Sequence, residues 1–195
     1  MVPIFEQGHG QGIGHSLDSF LKRFIEICEE HLKNGRASSF AFILYDFYDQ
    51  HIRDILKNQG GFTQLDRLSG NDISVFYLNS SERKLFKNFN EIFLGAFEIE
   101  NEYSLPFVLF FNIETREVSN VEIIELEQTD PMFAFKELYD CIENYKRRIK
   151  DSSVSAIKPK ANKLTNFLNT VKKVSLEKFI EWAIEKGGGK LGGYF

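Results

Sequence analysis

With 195 residues, of which 43% are hydrophobic and 27% charged, the chain is long enough to bury one full-sized core and carry an appendage. The formal net charge of −4 hides an asymmetry: from Lys146 onward there are 12 Lys and Arg against 4 Asp and Glu, whereas residues 1–145 carry 12 against 24. Apolar runs stay below the roughly 18 residues of a membrane span, and Met1-Val2-Pro3-Ile4-Phe5-Glu6 is not a basic start followed by an apolar stretch; a cytoplasmic protein is therefore expected, with no spanning helix and no signal peptide.

In residues 1–15, glycine at every second place from Gly8 to Gly14 resists helix and strand alike, so this stretch reads as an arm. His9 and His15 lack Cys or carboxylate neighbours at ligand spacing, and no metal is expected there. With no strand before the glycines and no Lys-Ser/Thr after them, phosphate-cradle motifs lack their context.

A helix is predicted over residues 16–33. Ser16 is its cap, Gly35 closes it, and Leu17, Phe20, Leu21, Phe24, Ile25, Cys28 and Leu32 fall on one face. Residues 39–46 are apolar almost throughout and read as a strand buried on both faces. Tyr45-Asp46-Phe47-Tyr48-Asp49 leads into a helix capped by Asp49, with Ile52, Ile55 and Leu56 inward. Gly60-Gly61 should interrupt it before Phe62, Leu65 and Leu68 continue the pattern. After the turn Gly70-Asn71-Asp72 comes a strand at 73–78, and the strand-helix-strand order predicts a parallel pair.

Ser80 or Ser81 is placed to cap a helix with the stripe Leu85, Phe86, Phe89, Ile92 and Phe93, stopped by Gly95. The run Leu105-Pro106-Phe107-Val108-Leu109-Phe110-Phe111 opens a strand at 107–113. Only Glu114-Thr115-Arg116-Glu117 separates it from the next, at 118–126, which requires an antiparallel hairpin. Asp130-Pro131 is a helix-start signal, and the helix that follows buries Phe135, Leu138, Cys141, Ile142 and Tyr145 before its basic end. Residues 151–162 read as a linker, and residues 163–195 as a basic helical extension with a Gly-rich tail. Leu164, Phe167, Leu168 and Val171 suggest one short helix there; Ser175 can cap another that presents Leu176, Phe179, Ile180, Ala183 and Ile184, with Trp182 off that stripe.

This order over residues 16–150 resembles the thioredoxin-like fold: a three-layer α/β domain with a central mixed sheet of about four strands, here extended by C-terminal helices. In that superfamily a cis-proline precedes the strand opening the final hairpin and borders the active site; Pro106 occupies that place. The dithiol that redox members carry after the first core strand is replaced by residues 45–49. Neither Cys28 nor Cys141 reaches it and no CxxC occurs, so the resemblance implies a fold without thiol-disulfide exchange.

Asp46 and Asp49, at the end of a parallel strand, together with Pro106, mark a candidate groove. A metal site would need further carboxylates; Asp66 and Asp72 are the candidates, no DxD occurs, and neither metal nor cofactor is expected. His31 and His51 are not accompanied by a G-x-S-x-G serine. The leading expectation is a non-catalytic protein-interaction module, part of a larger complex, whose contact segments are the C-terminal 45 residues, with the stripe Leu176, Phe179, Ile180, Trp182 and Ile184, or the glycine-rich arms. The alternative is a nucleic-acid-associated protein contacting phosphates through Lys146, Arg147, Arg148, Lys150, Lys158, Lys160, Lys163, Lys172 and Lys173. A third reading is an enzyme with its site around Asp46, Asp49 and Pro106.

Overall fold

In the computed structural model the described residues are 1–5, 26, 30, 33–34, 39–97, 99, 103–114, 117–127, 130–151 and 174–175. Glu26, Glu30 and Lys33 are helical, and the rest of the helix predicted at 16–33 lies outside the described residues, as do the arm beyond Phe5, the linker after Asp151 and the extension apart from Val174 and Ser175.

Among the strands, β1 is Val2–Phe5, β2 Ser39–Leu44, β3 Ile73–Asn79, β4 Phe107–Glu114, β5 Glu117–Glu125 and β6 Val174–Ser175. They form one sheet in the order β1-β3-β2-β4-β5-β6. β3 runs parallel to β1 and β2, whereas β4 is antiparallel to β2 and β5, and β6 is antiparallel to β5. The sheet is thus mixed, and its four inner strands are those that the apolar runs predict. The two edge strands were not expected: β1 falls in the arm, and β6 takes Ser175, placed above as a helix cap, into pairing with Glu117. Four and two residues are too few to show an alternating pattern, so only backbone pairing with a neighbour reveals them.

Besides the helical Glu26, Glu30 and Lys33, the helices among the described residues are α1 (Gln50–Lys57), α2 (Gln59–Ser69), α3 (Arg83–Ala96) and α4 (Pro131–Asp151). α3 covers one face: the Phe42 ring lies 4.1 Å from that of Phe93 and 5.6 Å from that of Phe111, with Phe76, Phe89 and Phe97 around it. α1, α2 and α4 pack together on the other face. There Tyr145 of α4 stacks on Phe110 at 4.0 Å and Phe62 of α2 meets Tyr77. Every side chain of β2 is buried, as a strand between two helical layers requires.

Between α1 and α2 the chain breaks at Asn58 and not at the glycines. Asn58 is extended, and its side-chain oxygen accepts from the N–H of Gly60 at 2.9 Å and of Gly61 at 3.4 Å, capping α2. The glycines therefore sit in the first turn of a new helix. Gly61 is needed for clearance, since a Cβ there would lie 3.2 Å from the Ile55 carbonyl oxygen. At α3 the N-cap position belongs to Glu82, whose N–H is taken by the Ser80 hydroxyl at 3.0 Å. Asp130 caps α4 as predicted, accepting from the N–H of Met132 and of Phe133.

Because the Phe42 ring is enclosed by five other phenylalanines, truncation leaves a cavity that rigid neighbours cannot fill. Phe42→Ala is expected to cost about 3–5 kcal/mol, read as a lower urea midpoint at unchanged slope, whereas Tyr48→Ala on the exposed loop is expected to move the midpoint by less than about 0.5 kcal/mol.

Candidate functional site

Strand direction decides which loops meet. β2 and β3 both finish, and β4 begins, at the same end of the sheet. The β2–β4 ladder closes with Leu44 opposite Phe107, so Tyr45 and Pro106 are the next residues on either strand. Asp46, Asp49 and Pro106 are thereby brought to one end, the carboxyl end of the parallel strands where open α/β sheets place their sites. The Leu105–Pro106 peptide is cis; Pro106 is buried, and its carbonyl accepts from the Leu126 N–H at 2.9 Å.

Both carboxylates in this loop turn the chain. Asp46 accepts from the N–H of Phe47, and Asp49 from the N–H of Asp46. Asp49 holds the N-cap position of α1 as expected, but its side chain reaches back to Asp46 and makes no cap bond into the helix. Beneath the loop, the buried Tyr45 hydroxyl donates to the Leu78 carbonyl, while the Asn90 amide donates to the Tyr45 carbonyl at 3.1 Å. Burial first, and the nearby Tyr77 second, push the Tyr45 phenol far above its ordinary range, so it is no acid or base near neutral pH.

Two arginines line the loop's aromatics. The Arg53 guanidinium lies 4.2 Å from the centre of the Phe47 ring and donates to the Phe47 carbonyl at 2.7 Å. Arg83 sits 5.0 Å above the Tyr48 ring, and that ring is 67% exposed. Among the described residues the other exposed large hydrophobics are Met132 and Phe133, 81% and 41% exposed. They belong to the first turn of α4, which follows β5 where Glu125 pairs with Phe107, so all three stand at the end of the sheet that holds Pro106. Reading from the sequence did not single them out. A signal was present: Met132 and Phe133 fall off the stripe of Phe135, Leu138, Ile142 and Tyr145 that α4 buries or half-buries.

The other carboxylates considered do not join this loop. Asp66 is exposed on α2, and Asp72 precedes β3, at the opposite end of the sheet from Asp46. Among the described residues no group of three or more His, Cys, Asp and Glu is placed to hold a metal ion. His51 is half-buried in the first turn of α1; His9, His15, His31 and Cys28 lie outside the described residues. Cys141 is buried in α4, and desolvation pushes its thiol well above the ordinary range, the reverse of what a reactive cysteine needs.

The first four of the proposed phosphate-binding cations are engaged by acids of the chain itself. Lys146 and Lys150 each lie 3.0 Å from Asp72, Arg147 lies 3.0 Å from Glu143, and Arg148 lies 2.6 Å from Glu122. Lys146 also donates to the Leu68 carbonyl. Lys158, Lys160, Lys163, Lys172 and Lys173 lie outside the described residues, as do Leu176, Phe179, Ile180, Trp182 and Ile184. No described helix is long and apolar enough to cross a membrane. Comparison of the chain with family models, with curated proteins and with solved structures finds no match.

Hydrogen bonds from Lys150 and Lys146 hold the Asp72 carboxyl below its ordinary value of 3.8. A carboxyl lowered in the folded state adds stability that is present above the unfolded value and is lost as pH falls through the folded one. Asp72→Asn should therefore lower stability at pH 6, and the gap from wild type should narrow as pH falls below about 3.8 in urea titrations. A pH-independent gap would remove the ion pairs as its cause.

Proposed function

We propose that the chain is a non-catalytic, thioredoxin-like protein-interaction module of a larger cytoplasmic complex, and that it meets its partner at the end of the sheet formed by the Asp46–Asp49 loop, Pro106 and the first turn of α4. The observation that carries this reading is the exposed Tyr48 ring between two carboxylates already committed to backbone N–H groups. A tyrosine offers apolar area and a hydroxyl at low entropic cost, and aromatic residues are enriched where proteins meet.

The thioredoxin-like part is supported by the strand order β1-β3-β2-β4-β5, in which β4 alone runs opposite to the other four, and by helices on both faces. The non-redox part is supported by the residue types at the loop: where redox relatives carry a dithiol, this chain offers neither a thiol nor a carboxylate without a backbone partner. The stripe Leu176, Phe179, Ile180, Trp182 and Ile184 is a second contact in the same reading, resting on its helical spacing alone. The nucleic-acid reading is weakened by the four cations that face acids of the chain itself.

A photo-crosslinking residue at position 48, with one at position 72 as the control on the opposite end, tests the surface. The expected result is a partner adduct from position 48 alone that is lost in the Met132→Asp/Phe133→Asp variant. Equal adducts from both positions would overturn the assignment. Reduction of insulin disulfides above the background of dithiothreitol would separately sink the non-redox part.

A further inference from the structure

The Asp46–Asp49 loop runs between two helices that lie on opposite faces of the sheet, and each of them grips it. From α3 come Arg83, Phe86 and Asn90, spaced by three and four residues and so on one face of that helix. Asn90 donates to the Tyr45 carbonyl at 3.1 Å, the Phe86 ring meets that of Tyr45 at 5.0 Å and that of Phe47 at 6.0 Å, and Arg83 lies 5.0 Å from the centre of the Tyr48 ring. From α1 comes Arg53, whose guanidinium covers the Phe47 ring at 4.2 Å and donates to the Phe47 carbonyl at 2.7 Å. Phe47 and Tyr48 then meet edge to face, with centres 5.7 Å apart and planes at 84°.

Arg53, Phe47, Tyr48 and Arg83 thus form one unbroken stack across the end of the sheet. The backbone beneath it is closed as well: the N–H of Asp49 donates to the Asp46 carbonyl at 3.1 Å, that of Gln50 to the Tyr48 carbonyl at 2.8 Å, and that of Arg53 to the Asp49 carbonyl at 3.1 Å. A tyrosine exposed on an open loop exchanges rotamers within picoseconds to nanoseconds and has to be ordered by whatever it meets. Tyr48 is 67% exposed, yet its ring is covered by Arg83 and set against Phe47. Exposure and order are here combined in one side chain.

We propose that Arg53 and Arg83 are positioning residues of the contact surface: they hold the Tyr48 ring in one orientation before any partner arrives. Arg83 does so directly, whereas Arg53 acts through Phe47. The positioning role rests on the reading of Tyr48 as the partner contact; the stack itself stands on its geometry. A ring held in advance spares the partner the entropy of ordering it, so the same apolar area binds more tightly. Because the two arginines belong to helices on opposite faces, a shift of either helix loosens the ring.

The order of the ring is measured on the full chain by heteronuclear relaxation of ring-labelled tyrosine, the Tyr48 signal being the one missing from Tyr48→Phe. Its order parameter is expected near the rigid value of about 0.85 in the parent and below about 0.6 in both Arg83→Gln and Arg53→Gln, at matching circular dichroism. Arg83→Lys, which keeps a cation over the ring, should recover most of the loss. Should Arg53→Gln not fold, Phe47→Leu cuts the same stack and carries the same expectation. A ring whose order survives either cut would overturn the proposal. The consequence for binding is read from a photo-crosslinking residue at position 132, at the same end of the sheet. Arg53→Gln, which does not touch the Tyr48 ring, should lower the partner adduct about two- to tenfold. An unchanged adduct despite a loosened ring would also overturn the positioning role. No adduct from the parent chain would sink the partner reading and the positioning role with it; the ring's order would then be intact, which tells this failure from a failure of the stack.

Discussion

The fold depends on β2 being buried on both faces. A strand with no water on either side must pair its backbone fully with neighbours, and β2 does so with β3 on one flank and β4 on the other. The two flanks have opposite directions, and this single reversal settles the rest of the topology. It puts the ends of β2 and β3 beside the start of β4, it makes β5 antiparallel through a short hairpin, and it returns α4 to the face already occupied by α1 and α2. Phenylalanine suits the task because stacked and tilted rings fill space on the α3 side of the sheet without any polar atom to satisfy, as the ring of Phe42 among its neighbours illustrates.

Once strand direction has gathered the Asp46–Asp49 loop and Pro106, the chemistry of the loop is limited by hydrogen bonding more than by residue type. Two aspartates at a sheet's carboxyl end are the raw material of a metal or acid-base site. Here each carboxylate accepts from a backbone N–H that the tight turn would otherwise leave unpaired, and releasing it for catalysis would orphan a donor. The phenol beneath them is held neutral by burial. What remains outward is surface: an aromatic ring, an arginine above it, and the two apolar side chains that open α4.

The inner strands and their directions were legible because strands of six to nine residues rich in apolar side chains, two of them joined by a short hairpin, can be buried in few ways. The start of α4 was legible because Asp130-Pro131 leaves little choice. Glycine propensity puts the helix break at Gly60-Gly61, yet the Asn58 side-chain cap two residues earlier decides the outcome, and Gly61 serves clearance at Ile55. For the site, sequence placed Asp46, Asp49 and Pro106 at one end through topology alone. It could not show that the carboxylates are committed, because one- and three-residue side-chain-to-backbone bonds depend on the path of the turn. Nor could it show Tyr48, Met132 and Phe133 as exposed, since exposure is what remains after packing has been decided.

Charge is where local and global readings diverge most. Twelve cations in the last 50 residues invite an anionic partner. The first of them instead bridge α4 to the turn before β3 and to β5, and a cation 3.0 Å from a carboxylate of its own chain brings a phosphate contact only at the cost of that pair. Exposed pairs are individually weak, about 0–1 kcal/mol, so these bridges do not hold the fold together. Their effect is on what the surface can recruit. Where the charges of α4 are neutralised from within, Coulomb attraction loses its selectivity, and apolar area becomes the stronger term at the exposed end of this domain, the ring of Tyr48 with Met132 and Phe133.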